Sequence, residues 1–322
     1  MPRIALQIER RSDPAPARAA LMIRPVCFAY NPQTAETNAF QHRPSASPEE
    51  LLERARSEFD GLAAALERAG VEVIVVEGDP GVFTPDALFP NNWLSFHDTG
   101  HAVIYPMAVP TRRAEVRPEL IDLVEERLGV RWPHRVDLTP LVREERYLEG
   151  TGSVVIDHQT RTAYACRSLR TSEEGLRAFA RATGHDPVLF DAVDESGAPY
   201  YHTNVMMSVG SRFAAVCVDA VAGPDRPRVV GRLEQAGRTI VPLTRAQVAR
   251  FAGNMIELAS RDGRTLLVMS QQARDSLTGE QTAYFESLGE IVSADLSTIE
   301  FVAGGSARCM IASVHTPAPS AR

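Results

Sequence analysis

No stretch of this 322-residue chain holds the ~20 consecutive apolar residues that a membrane span needs. No block of basic residues forms either. Lys and Arg number 34 against 41 Asp and Glu, a formal net charge of -7. An acidic chain with scattered arginines lacks the basic face that nucleic-acid binding requires. Cysteine is sparse: Cys27, Cys166, Cys217 and Cys309 are the only four, and none sits in a CxxC or Cys/His metal spacing. So few cysteines in so long a chain make no disulfide scaffold, which points to a reducing cytoplasm. No GxGxxG or P-loop follows a strand pattern, so dinucleotide and nucleotide-phosphate chemistry have no support. No metal or organic cofactor is expected.

Hydrophobic residues make up 44% and charged residues 23%, the composition of a soluble globular protein with a sizeable core. Residues 1–21 stand apart, rich in Pro, Ala and Arg and without a sustained apolar run. They read as a disordered extension, or as an over-extended start with Met22 as initiator, rather than a secretory signal. The folded domain is expected over 22–318, undivided because no Ser/Gly linker interrupts it. Along it, short β-like runs alternate with amphipathic helices. Helices are expected at 48–70, 112–128, 172–183, 226–236 and 278–288, each ended by a glycine. Strands are expected near 134–138, 152–157, 162–166, 204–209, 212–218, 254–259, 265–269, 299–302 and 309–315, besides LMIRPVCFAY, VEVIVV, NWLSF and AVIYP. That makes about five helix-bearing units in one α/β domain.

Polar residues interrupt the apolar pattern in four places: PDALFPNNW (85–93), YLEGTGSVV (147–155), YHTNVMMSVG (201–210) and AGGSARCMI (303–311). Cys309 follows two glycines, which let backbone amides approach a ligand, and adjoins Arg308, a cation able to favour a thiolate. His202 titrates in the range that a thiol nucleophile needs from its proton partner. Glu149, between Leu148 and a Gly-rich turn, is a candidate to orient that histidine. Residue chemistry alone thus offers a Cys–His–Glu set without naming a substrate.

In order and spacing these segments resemble the guanidino-group-modifying superfamily, which includes arginine deiminases, dimethylarginine dimethylaminohydrolases and amidinotransferases. PDALFPNNW is similar to the substrate-gripping segment, TRRAEV (111–116) to an Arg-bearing one, LEGTG to the acid motif, YHTN to the histidine strand and GGSARC to the cysteine strand. From MIRPVCFAYNPQTAETNAF through FAGNM to GGSARCM, the chain is most similar to the citrulline-utilisation hydrolase branch. The resemblance implies a five-bladed α/β propeller with the site on its pseudo-fivefold axis. It implies Cys309 as nucleophile, His202 as general acid/base and Glu149 as its orienting partner. Asp86 and Asn92 would face the planar head of an amino-acid substrate. Arg112 and Arg170 would hold its α-carboxylate. A homodimer is the family-level expectation. Ala303 and Ser313 depart from the branch's usual residues and are expected not to touch the chemistry.

Deiminases of this superfamily grip a guanidinium with carboxylates where this chain has Asn92 and Asn204. A carboxylate only accepts hydrogen bonds, whereas Asn donates and accepts, which suits a neutral ureido group. An acceptor facing the ureido C=O would cost about 1–3 kcal/mol. The expectation is therefore hydrolysis of citrulline to ornithine, carbon dioxide and ammonia. The Cys309 thiolate would be supported by His202, Arg308 and backbone dipoles, since a neutral substrate brings no charge to help. The alternatives are arginine dihydrolase, which passes from guanidino to ureido in one site, and arginine deiminase or amidinotransferase. A ribosome-binding propeller without catalysis need not keep Cys309, His202 and Glu149 together.

Overall fold

A computed structural model describes residues 16–317. The same local plan recurs five times: an antiparallel strand pair, a crossover carrying a helix, and a third strand parallel to the second. The first unit joins β1 (Ala19–Arg24), α1 (Pro48–Arg68) and β2 (Glu72–Glu77). The second holds β3 (Leu94–Phe96), β4 (His101–Ile104), α2 (Leu120–Leu128) and β5 (His134–Asp137). The third holds β6 (Val155–Asp157), β7 (Thr162–Cys166), α3 (Glu173–Thr183) and β8 (Asp186–Phe190). The fourth holds β9 (Met207–Val209), β10 (Phe213–Val216), α4 (Arg226–Gln235) and β11 (Thr239–Pro242). The fifth holds β12 (Ile256–Ala259), β13 (Thr265–Ser270), α5 (Gly279–Leu288) and β14 (Glu290–Ala294). After α6 (Ser297–Ala303), β15 (Ala312–Val314) returns to pair antiparallel with β1 and so completes the first unit. The sheets number four rather than five, because Val314 on β15 also pairs with Phe96 and fuses the first two units into one six-stranded sheet.

The helices form for legible reasons. The Ser47 side chain caps α1 by accepting from the Glu50 amide, Pro48 starts it, and Glu49 and Glu50 complement its N-terminal dipole. Leu51, Ala55, Phe59, Leu62 and Leu66 line its buried stripe at the three- and four-residue spacing of one helix face. Each large side chain among them contributes about 1.5–3 kcal/mol by leaving water.

The structure corrects several expectations. Residues 1–15 lie outside the described part, but Ala19–Leu21 already belong to β1, paired with both β15 and β2. The folded domain therefore starts before residue 22; small alanines read as tail but fit the interior between two strands. The strands β8, β11 and β14 were not expected, because each is a short edge with half-exposed, mixed residues that blur the alternation of a strand. The helix expected over 112–128 is split into Pro110–Arg113 and α2, with Pro118 between them, which lacks an amide donor. The strand expected near 299–302 is α6: the Glu58 carboxylate accepts from the Thr298 and Ile299 amides at its start. That capping group comes from α1, 240 residues away in sequence.

Candidate active site

The polar motifs share one position in the fold. Each lies in the turn just before the first strand of a unit: the 3-10 turn Pro90–Asn92 before β3, the helical turn Gly150–Ser153 before β6, Thr203–Val205 before β9, and residues 307–310 before β15. The strands expected at 152–157, 204–209 and 309–315 consequently begin three residues later. The preceding residues coil inward, and the side chains that broke the apolar pattern meet there.

Two glycines permit that meeting. A Cβ on Gly150, whose φ is +50°, would lie 2.2 Å from the Asn91 carbonyl oxygen. On Gly152 it would lie 2.4 Å from Asn92 Nδ2 and 2.6 Å from His202 Nδ1. The LEGTG turn is thus wedged against both neighbouring motifs.

Cys309, His202, Asp86, Asn92, Arg112 and Arg170 line one narrow pocket, and all six are buried. His202 Nε2 lies 2.8 Å from Glu149 Oε2. Burial alone would raise the Glu149 carboxyl. The Arg170 charge, the His202 hydrogen bond and the Arg112 charge outweigh burial and hold it well below the usual carboxylate range. Glu149 is therefore ionised and only accepts, so Nε2 carries the proton it receives. The lone pair of the neutral ring is then on Nδ1, the atom beside Gly152. Burial pushes His202 down to about 4 despite that carboxylate; the resting ring is neutral at pH 7 and cannot serve as an imidazolium partner for a thiolate.

Arg112 and Arg170 flank the pair, 4.0 and 3.6 Å from Glu149 Oε2. Arg112 is spent on protein partners: it grips Glu115 at 3.0 Å through Nε and 2.8 Å through Nη2, and donates to Asn92 Oδ1 at 2.6 Å. It orients Asn92 rather than waiting for a substrate carboxylate. Arg170 donates to the Thr34 carbonyl at 2.6 Å and to Thr37 Oγ1 at 2.9 Å, and lies over the Tyr201 ring. Asp86 Oδ2 accepts from Asn31 Nδ2 at 2.7 Å, whereas buried Oδ1 has no partner among the described residues. Burial pushes the Asp86 carboxyl up, against the Arg112 charge and the Asn31 bond.

A family model for N,N dimethylarginine dimethylhydrolase, eukaryotic, matches residues 24–316. The chain belongs to that family. It is thereby a member of the guanidino-group-modifying superfamily. In fold it is similar to ArgZ, an arginine dihydrolase from the ornithine–ammonia cycle in cyanobacteria. The apo structure of ArgZ is 17% identical with a TM-score of 0.72, covering 94% of this chain and 41% of that one. The chain thus spans well under half of whole ArgZ. The N-terminal domain of ArgZ bound to substrate is 18% identical with a TM-score of 0.71, covering 93% of this chain and 98% of that one. A dimethylarginine dimethylaminohydrolase adduct with S-methyl-L-thiocitrulline is 15% identical with a TM-score of 0.61, covering 92% and 98%. Likenesses at such identity establish the fold. No match is found among curated proteins.

Within this dimethylarginine dimethylhydrolase family member, two site residues stand elsewhere than the motifs implied. Asn204 does not line the pocket with Asp86 and Asn92; its amide packs against Cys309, with Nδ2 3.5 Å from Sγ. Arg308 directs Nη1 to the Ile311 carbonyl at 2.9 Å and lines a different cavity. Ala303 forms part of the pocket wall, while Ser313 sits on β15 opposite Ala20 and outside the pocket. Asn254 was overlooked: its Nδ2 lies 3.2 Å from Cys309 Sγ. Its signal was present in FAGNM, where Gly-Asn precedes an apolar strand much as Asn does in FPNNW and YHTN.

Proposed function

We propose that this enzyme hydrolyses the guanidino group of arginine and carries it through the ureido stage to ornithine, carbon dioxide and two ammonia molecules. The observation that carries this reading is the buried, unpartnered Oδ1 of Asp86. Arg112 is gripped by Glu115 and lies 4.0 Å from Glu149, and Arg170 lies 3.6 Å from Glu149. Burial pushes Glu115 up to about 8, and neither guanidinium donates to the Asp86 carboxylate, whose Oδ1 is left without an N–H donor among the described residues. A guanidinium supplies the missing N–H donor and a positive charge that holds Asp86 ionised against its burial; a ureido group supplies only the donor. An unpaired buried carboxylate is costly, so the cationic substrate is favoured. This replaces the expectation of citrulline as the starting substrate. Asn92 keeps its amide for the ureido stage, where a C=O appears. The kinship with an arginine dihydrolase and a dimethylarginine dimethylaminohydrolase supports a guanidino substrate.

In the proposed chemistry, the Cys309 thiolate attacks the guanidinium carbon. A C–S bond forms and the C=N electron pair moves onto nitrogen. His202 Nδ1 takes a proton from one nitrogen of the tetrahedral adduct and passes it to another, which departs as ammonia and leaves a neutral C=N bond. Water, deprotonated at the same atom, adds to the adduct carbon, and the C–S bond breaks to release the ureido compound and the thiolate. A second cycle on that compound gives the final products, consuming two waters in all. Arg170 is assigned the substrate α-carboxylate. We also assign the five units to a five-bladed propeller around this pocket, a cytoplasmic location and a homodimeric state, as the superfamily implies.

Product identification decides the matter. With 13C-guanidino arginine, monomethyl- and dimethylarginine and ureido-labelled citrulline offered side by side, labelled carbon dioxide and ornithine are expected from arginine. Citrulline turnover at tenfold or more the kcat/KM of arginine would sink the guanidino reading. Accumulation of citrulline with methylamines from the methylated substrates would favour a single-step hydrolase.

A further inference from the structure

Among the described residues, Cys309 has two side-chain amides at its sulfur and no cation donating to it. Asn254 Nδ2 lies 3.2 Å and Asn204 Nδ2 3.5 Å from Sγ. The Asn254 amide is oriented without ambiguity: Oδ1 accepts from the Cys309 backbone N–H at 3.4 Å, and Nδ2 also donates to the Asn204 carbonyl at 3.1 Å. Asn254 is fully buried, and its Nδ2 has the Asn204 carbonyl and the Cys309 sulfur as partners. Asn204 presents Oδ1 to Sγ at 3.8 Å as well as Nδ2. It can accept from the thiol and donate to the thiolate.

The backbone that delivers Asn254 is built for the purpose. Phe251 adopts φ of +61°, a left-handed conformation that is uncommon for a bulky residue and must be held by its surroundings. A Cβ on Gly253 would lie 2.3 Å from the Val205 carbonyl oxygen, so only glycine lets this turn press against the one that carries Asn204. The groups expected from the sequence to support the thiolate are aimed elsewhere. His202 directs its Nε2 to Glu149, and Arg308 donates to the Ile311 carbonyl.

We propose that Asn254 is a catalytic residue which, with Asn204, holds the Cys309 thiolate in a cradle of neutral amide donors, before substrate binds and again each time the C–S bond breaks. The inference rests on Cys309 being the nucleophile; it does not depend on which guanidino or ureido compound is attacked. Neutral donors suit this site. They lower the energy of the anion without adding positive charge that would repel a guanidinium. As sulfur gives its electron pair to carbon, the N–H···S contacts weaken. When the adduct is cleaved, the returning charge meets the same donors, so the cradle acts at both ends of each cycle.

The test is the pH profile of iodoacetamide alkylation of the substrate-free enzyme, with mass spectrometry assigning the label to Cys309 and Cys309→Ala as the blank. Asn254→Ala is expected to move the pH of half-limiting alkylation up by a unit or more and to lower kcat at least tenfold, with Asn204→Ala moving it less. Asn254→Asp, which keeps the shape but sets a carboxylate against sulfur, is expected to move it further than Ala. Asn254→Ser, which restores one donor in less space, recovers part of the shift and also serves if the Ala variant fails to fold. An alkylation profile within 0.3 unit of wild type (about 0.4 kcal/mol) in folded Asn254→Ala and Asn254→Asp, with kcat reduced, overturns the cradle and makes Asn254 a structural brace. If the profiles shift as expected while arginine is not turned over, the cradle stands and the substrate reading falls.

Discussion

Glu149 is the residue on which the others lean. It is fully buried, it fixes the proton on His202 Nε2, it accepts from the Ala108 amide at 3.0 Å and it is the nearest anion to Arg170. Glu149→Gln would leave a buried cation unpaired, which costs about 3–5 kcal/mol. We expect urea unfolding to register a loss of that order, together with at least a hundredfold fall in kcat/KM because the tautomer of His202 is no longer dictated. Asp86 separates substrate binding from the rest of the machinery. Asp86→Asn removes the charge that pairs with a guanidinium, and a charge-assisted hydrogen bond contributes about 1.5–3 kcal/mol. Steady-state assays should show kcat/KM for arginine falling roughly 10–100-fold, with a smaller fall for citrulline. Equal losses on both substrates would count against the charge-balance argument.

At the scale of elements, the turns before the strands matter more than the strands. Gly152 has no room for a methyl group: it would meet Asn92 and His202, both of which line the pocket. Gly152→Ala is expected to leave the circular dichroism spectrum intact and to lower kcat at least a hundredfold, since the His202 ring, proposed to move the proton, would be displaced by a fraction of an ångström and lose its geometry. The outer helices carry stability instead. Phe59 on α1 is fully buried, and Phe59→Ala is expected to cost about 3–5 kcal/mol through lost burial and a cavity, read as a lower urea midpoint with kcat unchanged in the folded fraction.

The whole molecule contains a second concentration of titratable groups, away from the pocket. His97, His185 and His315 are buried where the turn after β3, the start of β8 and the end of β15 come together, with His158, His101, Asp98 and Arg161 around them. Burial lowers His185 to about 3 and holds His97 and His315 well below their ordinary value. The unfolded chain, with histidines near 6.5, therefore binds more protons than the folded one once the pH drops below that value. The stability these neutral rings preserve is complete above about pH 6.5 and is lost as pH falls toward 3. By linkage His185 alone costs about 2 kcal/mol at pH 5. Urea midpoints are expected to fall steeply from pH 7 to 5, and His185→Asn to flatten that slope.

What the sequence by itself determined is what local chemistry encodes. Caps, glycine stops and 3.6-residue stripes announced the long helices. Polar residues in apolar runs marked the turns that hold Cys309, His202 and Glu149, because a buried polar group in a strand has no purpose but hydrogen bonding or chemistry. What only the tertiary structure decided is everything that depends on a partner from another unit. The edge strands β8, β11 and β14 owe their conformation to a neighbour rather than to their own residues, and α6 takes its cap from α1. Asn204 and Asn254 belong to the sulfur and Arg308 does not, because a side chain's direction follows from the turn that carries it. Asp86 became the sign of a cationic substrate once the charges around it were placed. An unpaired carboxylate is a property of the fold, and no residue in isolation has it.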